Sequence, residues 1–119
     1  SYQYKREIDI ERMQRAAKEI IGEHDFACFC ASGSTVKGPT VRTVYDIHIT
    51  KENNLVTVDI SGNGFLYNMV RIIIGTLLYV SEGKLSAEDV RDIIESKDRT
   101  KAGPTAPAEG LTMLQIIYE

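Results

Sequence analysis

One arginine stands inside the most apolar stretch of this 119-residue chain: Arg71, between Met69-Val70 and Ile72-Ile73-Ile74. A guanidinium buried without a partner is strongly disfavoured. Either a helix here turns Arg71 to solvent or a carboxylate comes to meet it. The second arrangement would have a chemical use, because the planar fork can hold a carboxylate at two points and keep it ionised and oriented. Tyr67 and Gly75, four positions to either side, share its face of a helix. Gly75 has no side chain, so another backbone or a substrate can come close there.

Two further segments could bind or position a ligand. Gly62-Asn63-Gly64 lies just ahead of the apolar stretch. Free N–H groups at a helix start attract anions. A short G-x-G without the rest of a dinucleotide fingerprint nevertheless reads first as a tight strand-to-helix turn. The run from Lys97 to Leu111 opens with Lys97, Arg99 and Lys101 and is stiffened by Pro104 and Pro107. A long loop in a small protein is either a functional surface or a plain crossover, and the residues alone leave both open. Lys37 and Arg42 flank another loop. The formal net charge of −3 excludes a generally basic coat but not a local basic patch.

Other chemistries find no support. No Ser-His-Asp set, phosphate loop or metal-binding helix occurs. Cys28 and Cys30 are too close in sequence for an unstrained disulfide, and with His24 and His48 they match no familiar zinc spacing. Reduced thiols are expected, with no metal. Asp25 reads as a cap for the short segment after it, and Asp46 as a solvated strand residue.

The elements that must carry these residues follow from periodicity. Asp9 is a good N-cap, and Ile10, Met13, Ala17, Ile20 and Ile21 recur at helical spacing until Gly22. His24–Ala31 is short and ambiguous. Val41–Thr50 and Leu55–Ser61 alternate on either side of Lys51-Glu52-Asn53-Asn54, the pattern of a hairpin. Phe65–Val80 reads as a buried helix closed by Gly83. Ser86 with Asp89 predicts a capping box for a helix whose inner stripe is Val90, Ile93 and Ile94. Leu111–Tyr118 is a final strand. The order α-β-β-α-α-β predicts an α+β fold, an antiparallel sheet with helices packed on one face, in one domain over residues 1–119. At least one sheet edge then lacks a partner and invites a further strand. No apolar run is long enough to span a bilayer, and a cytoplasmic, membrane-free protein is expected. Because the chain starts at Ser1, it is expected to be a processed or excised piece.

Several segments together resemble one family. Gly22-Glu23-His24-Asp25-Phe26, Val41-Arg42-Thr43-Val44 and Gly64-Phe65-Leu66-Tyr67-Asn68-Met69-Val70-Arg71-Ile72 are similar to the second half of the TruA-type tRNA pseudouridine synthases. So is the run from Lys97 to Leu111, with "KDR", "AGPTAP" and "EGL". The resemblance extends in order from about Asp9 to Tyr118 and implies half of a pseudouridine synthase fold. It implies an isomerase that converts uridine to pseudouridine in the anticodon stem-loop of tRNA, without cofactor or metal, after the nucleotide leaves its stack. In that family an aspartate within R-T-D-x-G attacks, and it lies in the first half. No such motif occurs here, since Arg42-Thr43 is followed by Val44. The N-terminal catalytic-aspartate domain is therefore expected to be absent and the isolated chain inactive.

By the same resemblance Arg71 pairs with that aspartate, and Leu111 makes an apolar contact near the target base. Phe65 packs near the same entrance or belongs to the core. Lys37, Arg42, Lys97, Arg99 and Lys101 are the candidates for RNA phosphate contacts, with Arg99 foremost because it lies in "KDR". The implied partners are tRNA, the N-terminal half of the same enzyme and a second copy in a homodimer. The competing reading is a stand-alone α+β module for RNA or ligand binding, or for dimerisation, without catalysis.

Overall fold

The computed structural model describes residues 8–30, 40–52, 55–65, 68–106 and 115–118. Its elements are α1 (Ile10–Ile20), β1 (Gly22–Asp25), β2 (Val41–Glu52), β3 (Leu55–Gly62), α2 (Met69–Ser81), α3 (Ala87–Ser96) and β4 (Gln115–Tyr118). Short 3-10 turns cover Ala27–Phe29 and Arg99–Lys101. Among the described residues no helix is long and apolar enough to cross a membrane.

The sheet is built as the alternation predicts, with two additions. β2 and β3 pair antiparallel, Ile47 opposite Ile60 and Ile49 opposite Val58. These four residues are buried and so define the face toward the helices, while His48 and Thr50 point the other way. Val44 is buried as well, three positions before Ile47 instead of two or four. The register shifts between Val44 and Asp46, a bulge that absorbs the odd residue and leaves Tyr45 exposed. The first addition is β1, which pairs antiparallel with Val41–Val44 of β2. It starts at Gly22, expected only as a helix stop, and overlaps the ambiguous stretch at His24 and Asp25. The second is the direction of β4, which runs parallel to β3, so the sheet order is β1-β2-β3-β4 and one ladder is not antiparallel.

The α+β architecture with helices over one face holds. α1 buries Met13, Ala16, Ala17 and Ile20, and α3 buries Val90, Ile93 and Ile94. Both stripes join a single core with Ile60, Ile72, Ile73 and Leu77. Full burial of each such aliphatic side chain stabilises the fold by about 1.5–3 kcal/mol. Arg91 of α3 donates from Nε and Nη2 to the two carboxylate oxygens of Glu19 on α1, each at 2.9 Å. The expected Asp9 cap accepts from the Arg12 N–H, and its own N–H donates to Ser81 at the end of α2.

The buried helix is shorter than Phe65–Val80. It begins at Met69, because Asn68 sits in the left-handed region at φ 58°, a conformation no right-handed helix contains. Arg71 therefore lies in the first turn of α2, not at its middle.

Candidate functional site

The strand-to-helix turn ahead of α2 is held by side chain and backbone together. Asn63 donates its N–H to the Thr43 carbonyl at 3.0 Å, and its side-chain oxygen accepts from the Thr43 N–H at 2.9 Å. A Cβ at Gly62 would lie 2.7 Å from the Thr43 carbonyl oxygen, so no larger residue fits this approach. Phe65 is half-buried, packs against the core and covers Gly62 with its ring edge. Arg42 extends past Gly64 and donates to the Val41 carbonyl at 2.8 Å. The glycine pair thus serves the tight turn.

Arg71 is half-buried and oriented by two neutral oxygens. Its Nε donates to the Ala106 carbonyl at 2.7 Å and its Nη1 to the Asn68 side-chain oxygen at 3.3 Å. Ala106 returns its N–H to the Arg71 carbonyl at 3.0 Å. A guanidinium has five N–H donors, so the remaining ones, on Nη1 and Nη2, have no acceptor among the described residues. No described carboxylate forms an ion pair with Arg71. The surrounding helix end sharpens this. The first N–H groups of α2 have no partner within the helix, no side chain caps it, and its first turn holds no acidic residue. A helix N-terminus already attracts anions, and Arg71 adds a full positive charge there. The arrangement can hold a carboxylate or another anionic oxygen.

The segment 103–106 lies directly on α2, on the face that Gly75 leaves bare. Any side chain at Gly75 would overlap the Pro104 carbonyl. A Cβ at Gly103 would come within 2.6 Å of the Thr76 Cα. Thr76 is fully buried, donates to the Ile72 carbonyl at 2.8 Å and accepts the Gly103 N–H at 2.9 Å. Of the two expected at Gly75, a backbone or a substrate, it is a backbone that approaches, that of the proline- and glycine-containing loop.

The other candidates are distributed as follows. Arg99 is half-buried and points inward, donating from Nη1 to the Gly103 carbonyl at 2.9 Å and from Nη2 to Thr105 Oγ1 at 3.2 Å. Lys97 is exposed, with Nζ 3.8 Å from Asp25, and Lys101 is exposed. Lys37 and Leu111 lie outside the described residues. Asp25 accepts from the Ala27 N–H and from the Thr40 hydroxyl. The Thr40 bond, then the Ala27 bond and nearby Lys97, hold its carboxyl below the usual value against the opposing effect of burial. Neither Cys28 nor Cys30 forms a disulfide, and burial pushes the Cys28 thiol up to about 12, which removes it as a nucleophile near neutrality. Among the described residues no three His, Cys, Asp or Glu side chains come together to hold a metal ion. Among the described residues, an open groove of about 460 Å³ lies between α1 and β2 and another of about 490 Å³ lies where Arg12 and Arg15 of α1 meet the α2–α3 turn, and Arg71 lines neither.

The inward partners of Arg99 are the part that sequence reasoning missed. Its acceptors are a backbone carbonyl and a threonine within six residues of it. The only available signal was the joint presence of Gly103 and Pro104, which mark a bent backbone in reach of a long side chain.

Comparison with known proteins bears on this arrangement. A family described as tRNA pseudouridine synthase matches residues 16–119. Over 111 residues the chain is 56% identical to the tRNA pseudouridine synthase A of Thermoanaerobacter sp. (strain X514), covering 93% of this chain and 45% of that protein. It is 48% identical to the protein of the same name from Acetivibrio thermocellus, covering 99% of this chain and 48% of the relative. For that of Brevibacillus brevis the identity is 50%, with 93% and 45% covered. The chain spans about half the length of the curated relatives it matches.

Proposed function

The chain belongs to the tRNA pseudouridine synthase family, and from that premise we propose that it supplies one half of the active site of an enzyme that isomerises uridine to pseudouridine in the anticodon stem-loop of tRNA. The observation that carries this reading is Arg71. It is a guanidinium in the first turn of an uncapped helix, aimed by two neutral oxygens and facing no described carboxylate.

The nucleophilic aspartate comes from the other half of the polypeptide. Arg71 receives it, keeps it ionised and fixes the angle from which it attacks the target nucleotide, in the manner of a charge-assisted, two-point contact. The target must first leave its stack to expose the glycosidic bond. Leu111 and Phe65 provide the apolar side of the entrance. Lys97, Lys101, Lys37 and Arg42 contact phosphates and position the RNA without reading its sequence. The assembled enzyme works as a homodimer.

The test is Arg71→Ala in the complete polypeptide that carries this chain. Pseudouridine formation on an unmodified tRNA transcript should fall about 10²–10³-fold, the range for loss of a preorganised electrostatic contact. Affinity for tRNA should stay within about threefold, since Arg71 meets the aspartate and the phosphate contacts remain. Turnover near normal refutes the assignment.

A further inference from the structure

We infer that Arg99 is a positioning residue for Arg71, acting through the backbone of residues 103–106 and not through contact with RNA. The inference rests on the reading of Arg71 given above, for its effect on turnover alone.

The connection can be followed atom by atom. Asp98 caps the 3-10 turn Arg99–Lys101 by accepting from the Thr100 N–H at 2.9 Å. From this turn the Arg99 fork reaches two acceptors on either side of Pro104, the Gly103 carbonyl and Thr105 Oγ1. Gly103 is anchored from below by buried Thr76. The strap between these points ends at Ala106, which is buried and bonded to Arg71 in both directions, N–H to carbonyl and carbonyl to Nε. The direction of the Arg71 guanidinium is thus set by the Ala106 carbonyl. The direction of that carbonyl is set by a strap held at Thr76 and Arg99.

Arg99 suits this task where lysine would not. Two acceptors two residues apart on a bent backbone call for a planar fork with fixed spacing, and an ammonium satisfies one of them at a time. A phosphate contact makes the opposite demand. It needs charge near the surface, which lysine supplies as well. Arg99 is half-buried and two of its donors are committed to protein oxygens, whereas Lys97 and Lys101 beside it are exposed.

The experiment compares Arg99→Lys, Arg99→Ala and Thr105→Ala with the unchanged complete polypeptide. It measures kcat, KM for an unmodified tRNA transcript, and exchange of the Arg71 Nε proton by nitrogen-resolved NMR. Arg99→Lys should lower kcat about tenfold, within the range for misplacement of a reacting group by a fraction of an ångström. KM should stay within about twofold, and the Arg71 Nε proton should exchange about tenfold faster as its bond to Ala106 loosens. Thr105→Ala, which removes one acceptor and leaves charge intact, should shift kcat and exchange in the same direction by less; it carries the test should Arg99→Lys fold poorly. A raised KM with unchanged kcat in Arg99→Ala, rescued by lysine, would make Arg99 a phosphate contact and overturn the inference. So would unchanged kcat and unchanged Arg71 exchange in Arg99→Lys and Thr105→Ala. If Arg71→Ala itself left turnover intact, the proposed function would fail, while faster Arg71 exchange in Arg99→Lys would still establish the coupling.

Discussion

Two helix N-termini in this molecule are built on opposite terms. α3 is complete in itself. Ser86 accepts the Asp89 N–H at 3.0 Å, Asp89 accepts the Ser86 N–H at 2.9 Å, and Glu88 and Asp89 place negative charge in the first turn. Those features satisfy orphan donors and complement the helix dipole. α2 has none of them. It starts from a left-handed Asn68, lacks a side-chain cap and carries Arg71 where an acidic residue would be favourable. The same physical rule that explains α3 makes α2 unfinished. On the function proposed above, the cation at this positive helix end receives an anion from elsewhere, which makes α2 and not α3 the functional end of the fold.

The largest effect expected from breaking this contrast is at α2. Arg71→Ala should reduce turnover of the complete enzyme about 10²–10³-fold. Its effect on stability should be only about 1 kcal/mol, the scale of a net hydrogen bond. This chain alone, assayed on unmodified tRNA, should yield no pseudouridine above a protein-free control. Product above the control would reveal a nucleophile within residues 1–119.

Gly75→Ala comes next. Its methyl group would run into the Pro104 carbonyl and push the 103–106 strap away from α2. Overpacking of a rigid interior costs about 1–3 kcal/mol, and backbone has less room to yield than a flexible side chain. Thermal unfolding should register the loss. Turnover should fall as well, since the strap orients Arg71. A variant destabilised but fully active per folded molecule would separate the strap from the site.

Ser86→Ala gives the matching control at α3. It should cost about 1 kcal/mol of stability, the usual value of a lost N-cap, and leave turnover per folded enzyme unchanged. If it impaired turnover as Arg71→Ala does, the division between a self-contained and an unfinished helix end would have no meaning.

How far this could be read from residues depends on whether the interaction leaves a mark in residue type. The α3 cap, the Asp9 cap and the β2–β3 hairpin are local and appear directly as Ser-x-x-Asp, Asp before an apolar stripe, and alternation around a polar turn. β1 escaped because four residues, Gly-Glu-His-Asp, are too few and too polar to show a period. The parallel direction of β4 is a property of topology, and alternation is the same in either direction. Arg71 was visible because a cation in an apolar run is anomalous on burial grounds alone. Its place in the first turn was not, since the left-handed Asn68 follows a stretch that is apolar enough to read as helix. The partners of Arg99 left little mark, because a backbone carbonyl is offered by every residue type and the Thr105 hydroxyl comes into reach only through the bend at Pro104.

The smallest expected effect concerns an anion whose partners are already in place. Asp25 accepts from Ala27 N–H and the Thr40 hydroxyl and lies near Lys97. These contacts lower its folded-state pKa below the ordinary 3.8, the Thr40 bond contributing most. A depressed carboxylate pKa adds stability that is fully present above the unfolded value and is lost as pH falls through the folded one. Asp25→Asn keeps an acceptor oxygen for Ala27 and Thr40 but removes the charge. The difference in unfolding free energy between the unchanged chain and the variant should be level well above the ordinary 3.8 and shrink as pH falls through that value and on through the lower folded-state one. Its plateau should be modest, about 1 kcal/mol, because the Lys97 pairing is partly exposed and screened. A difference that stayed constant through the acid range, or grew, would show that the Asp25 charge is not stabilised by its neighbours. Arg71 would then lose its contrast with a charge whose partners lie within the described fold.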